Sequence, residues 1–210
     1  LLMILSKKKV GRADHIDRIS GLSIDLIGII LQCLSHEEVV RTSVLSKKWR
    51  YMWTSVPQLE LMNLKRELYS ISPHIFSCEG LTHLKLHNFK VSNVPNFCCF
   101  KCLVKLHLSN IRFESNALGS LLLGCASLVT LIISSCFGFE YINVPSSLKI
   151  LHVQSDQAIL LIYLEKAKNL TDLSLVADTP GNNFERKTIS NLLKALSKME
   201  SIYLGEGYVK

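Results

Sequence analysis

Residues of the kind that hold metals or attack substrates occur at several places in this 210-residue chain. His83-x3-His87 followed by Cys99-x2-Cys102 offers two imidazoles and two thiols, the donor set of a tetrahedral zinc site in reversed order. The spacing works against it. On one strand, four residues at about 3.3 Å each set the histidines about 13 Å apart, whereas zinc bonds are about 2 Å long. Cys98, Cys99 and Cys102 are read instead as small buried apolar residues of a loop. Ser146-x-x-Lys149 has the spacing of a serine acylase nucleophile pair, but neither a base nor an oxyanion device accompanies it. Trp49 and Trp53, at i and i+4, share one helix face and could stack on a ligand, with core and interface packing the plainer account. Asn169-Leu170-Thr171 is a formal glycosylation sequon in which Leu170 falls at a core position.

The chain lacks G-x-S-x-G, G-x-x-x-x-G-K-[ST], G-x-G-x-x-G and H-E-x-x-H, so it is read as no enzyme, with no metal and no cofactor. Hydrophobic residues make up 48% and charged residues 20%, a balance that buries a core and excludes disorder. The formal charge is +7, with clusters at Lys7, Lys8, Lys9 and Arg12 and at Lys47, Lys48 and Arg50. Such charge favours acidic partners, but no nucleic-acid-binding signature accompanies it, so a solvated basic face is expected and nucleic acid is not. Seven scattered cysteines, an odd number, fit reduced thiols in a reducing compartment. The apolar start, Leu1 to Leu5, is shorter than a signal peptide core and its lysines follow it. No apolar run reaches the roughly 18 residues of a membrane span. A soluble intracellular chain without membrane contact is expected, and its start at Leu1 instead of Met suggests a piece of a longer protein.

The elements that would position these residues repeat. L-x-x-L-x-L recurs as Leu81/Leu84/Leu86, Leu103/Leu106/Leu108, Leu128/Leu131/Ile133, Leu148/Leu151/Val153, Leu170/Leu173/Leu175 and Met199/Ile202/Leu204. Successive starts are 22, 25, 20, 22 and 29 residues apart, within the range of about 20 to 29 of leucine-rich repeats. One strand and one return segment cannot bury their own leucines, whereas stacked copies can, so an α/β solenoid with a parallel one-layer sheet is expected over 81–210. Return segments 116–124 and 185–198 carry helical stripes, and 157–168 is helical by composition. Segment 88–101 has too many breakers for more than a loop or short turn. Because strand residues alternate, the positions between and beside the leucines face away from the core, onto an inner, concave surface. They are His83, Lys85, His87; Lys105, His107, Ser109; Thr130, Ile132, Ser134; Ile150, His152, Gln154; Asp172, Ser174, Val176; and Ser201, Tyr203, Gly205. Of these, His83, Lys85, His87, Lys105, His107, Ile132, His152 and Tyr203 are the candidates for holding a target, with an acidic segment suiting the basic, histidine-bearing end.

Residues before the repeats differ in kind. After a basic tail over 1–15, three short helices are expected over 16–60, followed by a linker or first irregular repeat over 61–80. Ser23 can cap the first helix, which carries Leu22, Leu26, Ile30, Cys33 and Leu34. Ser35-His36-Glu37-Glu38 is a capping box ahead of Val39, Val40, Val44 and Leu45. The third helix brings Trp49 and Trp53 together. A head of this size has more apolar surface than one small core can absorb, so a partner is expected to cover the rest.

The run Asp17-Arg18-Ile19-Ser20-Gly21-Leu22-Ser23-Ile24-Asp25-Leu26, then Ile30-Leu31, then Arg41-Thr42-Ser43-Val44-Leu45-Ser46-Lys47-Lys48-Trp49-Arg50-Tyr51-Met52-Trp53, resembles a plant-type F-box. An F-box followed by leucine-rich repeats resembles the large plant F-box/FBD/LRR-like family, whose members often carry a further C-terminal domain. The resemblance implies a substrate-recognition subunit of an SCF-type ubiquitin ligase in the nucleus and/or cytoplasm. It would dock on a Skp-family adaptor, and through it on cullin, while its repeats bind a target for ubiquitination. Carried over by position, Leu22, Ser23, Leu26, Ile30, Leu31 and Leu34 would meet the adaptor. Val39, Val44, Leu45 and Trp49 would build the F-box core and part of that interface. Ser23 stands where family members usually have Pro, and Asp25 where Glu is common. The alternative this raises is a repeat scaffold that no longer recruits a ligase.

Overall fold

The computed structural model describes residues 19, 21–32, 38, 42, 45, 49, 57–71, 73–95, 100–157, 161–164, 166–179 and 199–205. In chain order they form helix α1 (Ile24–Gln32), strands β1 (Gln58–Met62) and β2 (Tyr69–Ser70), a 3-10 turn (Pro73–Ser77), then β3 (His83–His87), β4 (Phe89–Val91), β5 (Lys105–Ser109) and β6 (Arg112–Phe113). Helix α2 (Ala117–Leu123) follows, then β7 (Thr130–Ser134), β8 (Tyr141–Asn143), β9 (Ile150–Gln157), β10 (Leu161–Tyr163), β11 (Asp172–Thr179) and β12 (Ser201–Leu204).

Seven strands make one parallel sheet in the order β1-β3-β5-β7-β9-β11-β12. Six of them are the six L-x-x-L-x-L runs. Strand β1 precedes these and continues their register, Leu59 opposite Leu84 and Leu61 opposite Leu86. The pairing lines the leucines into columns, Leu84-Leu106-Leu131-Leu151-Leu173 and Leu86-Leu108-Ile133-Val153-Leu175, all buried. Each fully buried leucine contributes about 1.5–3 kcal/mol of transfer free energy. In β12, which has a sheet neighbour on one side only, Ile202 and Leu204 stay more than a third exposed.

Two backbone devices set the repeat. A tight turn carries the chain into five of the six runs, with the amide of Leu81, Leu103, Leu128, Leu148 or Leu170 donating three residues back to Cys78, Phe100, Cys125, Pro145 or Ala167. At each strand entry a single carbonyl then accepts two amides from the next repeat. Pro57 accepts from Thr82 and His83, Thr82 from Val104 and Lys105, Val104 from Val129 and Thr130, and Val129 from Lys149 and Ile150. Lys149 accepts from Thr171 and Asp172, and Thr171 from Glu200 and Ser201, all six pairs at 2.7–3.1 Å.

At the strand exits the first repeats turn on asparagine. Asn88 and Asn110 hold φ of 65° and 51°, the left-handed region that asparagine tolerates better than most residues. The buried Asn88 donates from Nδ2 to the carbonyls of Asn63 and Lys65, and its Oδ1 accepts from Asn110 Nδ2 at 2.9 Å. Asn63 donates in turn to the carbonyls of Glu67 and Asn88. Ser135, at φ 50°, takes the corner after β7. Where Ser155 and Ala177 follow instead, they pair with each other and β9 and β11 run on for eight residues.

The return side departs from expectation. Within segment 157–168, where a helix is expected, β9 runs through Gln157 and β10, at Leu161–Tyr163, pairs with β8 in parallel. Buried Ile162, exposed Tyr163 and buried Leu164 alternate with period two, and pairing with β8 outweighs the local helix preference. Segment 88–101 contains β4, which lies between β2 and β6 in a second small parallel sheet. Helix α2 falls within 116–124 as expected and buries Ala117, Leu118, Leu121 and Leu122. Beside β6, Gly138 adopts φ 89°, where a Cβ would strike the Phe113 carbonyl. Segment 185–198 lies outside the described residues, as do most of the second and third helices expected in the head.

Asn88→Ala should cost about 2–3 kcal/mol, because it strands two carbonyls and the Asn110 amide and puts a Cβ-bearing residue without a polar side chain at positive φ. Asn88→Gly should cost about 1 kcal/mol less, since only the hydrogen bonds are lost. Urea unfolding of the two variants measures the difference.

Candidate protein-binding surfaces

Helix α1 begins at Ser23, whose Oγ accepts from the Leu26 amide at 3.3 Å while its carbonyl accepts from Ile27. Ser23 thus caps the helix, and Asp25 in the first turn complements the helix dipole. Ile27 and Leu31, one turn apart, are buried in the same apolar cluster as the repeat leucines, together with Trp49. The indole of Trp49 donates to the Ile19 carbonyl at 3.1 Å. The helix's other large apolar side chains are exposed. Ile24 is 63% exposed, Leu26 49%, Ile29 58% and Ile30 38%.

Of the residues expected at an adaptor, Leu26 and Ile30 therefore lie on the outward face, Ser23 and Leu45 are exposed and Leu22 is half-buried. Leu31, at 1% exposed, sits on the inner face with Trp49, because the helix turns Ile27 and Leu31 inward. Ile29 joins the outward face, and Ile24, on the side of Ile27 and Leu31, is exposed in the first turn, although the i, i+4 stripe through Leu22, Leu26 and Ile30 picks out neither. Leu34, Val39 and Val44 lie outside the described residues.

On the repeat sheet, the face opposite the leucine columns is open, and strand pairing sorts its side chains into rows. The central row reads Glu60-Lys85-His107-Ile132-His152-Ser174-Tyr203. One flanking row reads Gln58-His83-Lys105-Thr130-Ile150-Asp172-Ser201, and the other Met62-His87-Ser109-Ser134-Gln154-Val176. All eight candidate target-binding residues fall in these rows. Lys105 and His152 are exposed, His83, Lys85, His87, His107 and Ile132 are half-buried, and Tyr203 is 60% exposed. Gln58 and Glu60 enter the face from β1, a strand outside the six runs that Val56-x-x-Leu59-x-Leu61 could have revealed.

The basic end is concave. A cavity of about 310 Å³ is lined by Gln58, Glu60, His83, Lys85, Lys105 and His107 over a floor of Leu59 and Leu84. Within it Lys85 Nζ and Glu60 Oε1 are 2.6 Å apart. His83 Nδ1 lies 2.9 Å from Thr82 Oγ1, and His87 Nδ1 lies 3.1 Å from Ser109 Oγ. Burial, then Lys85 and Lys105, hold His107 below the usual imidazole range; His87 adds to this and Glu60 opposes it. A second concavity, about 480 Å³, lies on the return side between α2 and the pair β8 and β10.

The other chemistry-bearing residues are not gathered. Among the described residues no group of three His, Cys, Asp or Glu side chains could hold a metal ion. Cys102 is exposed in the turn before β5, where Leu103 takes the buried place. Cys98 and Cys99 lie outside the described residues. Burial pushes the Cys78 and Cys136 thiols up to about 12, which keeps them protonated and unreactive. Ser146 gives its carbonyl to Asn169 Nδ2, and no described hydrogen bond joins it to Lys149. No described helix is long and apolar enough to cross a membrane.

Residues 51–197 match the family model described as FBD-associated F-box protein At5g56370, LRR repeats, and residues 19–61 match the F-box domain. The Arabidopsis thaliana F-box/FBD/LRR-repeat protein At5g56420 is 25% identical over 187 residues, covering 58% of this chain and 44% of its own length. The putative F-box/FBD/LRR-repeat protein At4g13965 of the same plant is 30% identical over 195 residues, 84% of this chain and 43% of its own length. A third, At1g51370, is 51% identical over 63 residues, 28% of this chain and 14% of its own length. The chain spans less than half the length of these relatives.

The depressed His107 titration has a sign in stability. The unfolded chain takes up the His107 proton near the ordinary value, about 6.5, before the folded chain does. The stability from keeping His107 neutral is therefore full above that pH and is lost as pH falls through the lower folded value. His107→Gln should flatten the decline of the urea midpoint between about pH 7.5 and pH 5.5. Parallel titrations of the variant and the natural chain at both pH values check it.

Proposed function

The chain belongs to the plant F-box/leucine-rich-repeat family, and on that premise we propose that it is the substrate-recognition subunit of an SCF-type ubiquitin ligase. In this reading a three-helix F-box over 16–60 docks on a Skp-family adaptor and through it on cullin. The repeats hold a target protein for ubiquitination, the chain itself catalyses nothing, and it works in the nucleus and/or cytoplasm. The carrying observation is helix α1, inside the F-box match, which turns Ile24, Leu26, Ile29 and Ile30 to solvent. Leu26, Ile29 and Ile30 share the side opposite Ile27 and Leu31, and with Ile24 exposed in the first turn they leave apolar surface that water does not favour and a partner groove would cover. The open sheet face, polar and histidine-bearing, supports the other half, since alternate strand positions are free of the core and can serve a ligand.

A specific observation favours a second reading. Ser23 supplies the helix cap but not the apolar ring of the usual proline, so the chain could be a repeat scaffold that recruits no ligase. Titration calorimetry against a purified plant Skp-family adaptor at fixed salt separates the two. The ligase reading expects binding that Leu26→Asp weakens by at least about tenfold, the effect of losing a buried interface anchor. Binding only by a Ser23→Pro variant, or by neither form, would leave the scaffold, provided circular dichroism shows the proteins folded.

A further inference from the structure

Lysine charge on the open face is gathered at one end, while Asp172 carries a carboxylate on β11. Glu60, His83, Lys85, His87, Lys105 and His107 all sit on β1, β3 and β5. The next two strands present Thr130, Ile132 and Ser134, then Ile150, His152 and Gln154. Ile132 and Ile150 are half-buried on β7 and β9, so the centre of an apolar zone lies about two strand spacings from the centre of the charged pair β3 and β5. At about 4.8 Å per strand, the two zones are about 10 Å apart.

Resting on the reading that the open face holds the target, we propose that this face selects an extended acidic peptide, seating one carboxylate between Lys85, Lys105 and His107 and an apolar side chain on Ile132 and Ile150. Charge complementarity names the occupant. Lys105 has no carboxylate partner among the described residues, while Lys85 is held by the single carboxylate of Glu60. An incoming carboxylate would share Lys85 with Glu60 and gain Lys105 and the imidazole. The spacing names the backbone. In a polyproline-type segment of about 3.1 Å per residue, positions i and i+3 fall on one side about 9 Å apart, matching the interval between the zones. Acidic-x-x-apolar is thus the pattern the surface accepts.

Glu60 acts in this arrangement as a built-in competitor, which gives the proposal a sign that non-specific stickiness lacks. Protonation of His107 gives a second. The groups facing it are Glu60 from β1, His83, Lys85 and His87 from β3 and Lys105 on its own strand, and β7 adds Thr130, Ile132 and Ser134, none of them charged. A bound carboxylate offsets the repulsion from the two lysines, so binding takes up a proton and tightens as pH falls from about 7.5 to 5.5.

The test is fluorescence anisotropy of the full chain with a labelled, end-blocked peptide holding Glu-Pro-Pro-Leu in a Gly/Ser background, and with its Gln and Ser counterparts. The expected result is that Glu→Gln or Leu→Ser in the peptide weakens binding, and that Lys85→Met or Lys105→Met does the same. Glu60→Gln should tighten binding by about threefold, the scale of one exposed ion pair. His107→Gln should remove the tightening at low pH. Equal binding of the Glu and Gln peptides, both abolished by Ile132→Lys, would overturn the acidic preference and keep the open face as a target site. No binding of any peptide by the folded chain would overturn the proposal, and equal competition by a DNA duplex would reassign the face to polyanions in general. The ligase reading stands or falls separately, on the adaptor titration.

Discussion

A strand and its return segment leave the leucines of one repeat facing an unfilled side, and only the adjoining repeat can fill it. Everything else in the molecule follows from that sharing. The columns through Leu106 and Leu108 are sealed because a parallel neighbour lies on each flank. Sealing requires fixed register, and register is held at the strand entries, where one carbonyl takes two amides from the following repeat. A slip of one residue would misplace those paired bonds and turn every leucine to the open face at once. The open rows are therefore as well ordered as the core, although almost nothing in them is needed to hold the fold.

Variation is confined to the return side. Repeat starts are 20 to 29 residues apart, yet the sheet keeps one register throughout. Extra length is absorbed as a helix in 116–124 or as short strands in the two side sheets. The corners decide how far each strand runs. Asparagine at positive φ ends β3 and β5 after five residues, and its loss at Ser155 and Ala177 lets β9 and β11 continue. Amide side chains bonded from Asn63 through Asn88 to Asn110 tie these corners together as the leucines tie the core.

The strands and their two faces are legible in the sequence because a leucine at a fixed offset needs no tertiary context to be recognised. Strand β1 is missed although Val56-x-x-Leu59-x-Leu61 fits the pattern with Val in the leading place, as Met199 stands in the last run, and Glu60 of the cavity is missed with it. Segment 157–168 is misjudged because its Ala, Leu, Glu and Lys content reads as helix, while its alternation of buried Ile162 and Leu164 around Tyr163 becomes decisive only beside β8. Within α1, the stripe through Leu22, Leu26 and Ile30 is as periodic as the one through Ile27 and Leu31. Periodicity alone does not say which faces inward, and the rest of the fold selects the second. The clustering of charge on β1, β3 and β5 is visible only in part, since it depends on which strands become neighbours.

The alternation along each strand also separates two kinds of inheritance. A change at Leu84 or Leu106 alters the shape that every neighbouring repeat must fit, so selection on folding acts there. A change at Lys85 or His107 leaves the leucine columns untouched and alters the chemistry of the open face. On the proposed reading, a handful of codons would thus exchange the target in descendants whose architecture stays put, and duplicated copies would diverge in specificity long before they diverge in fold.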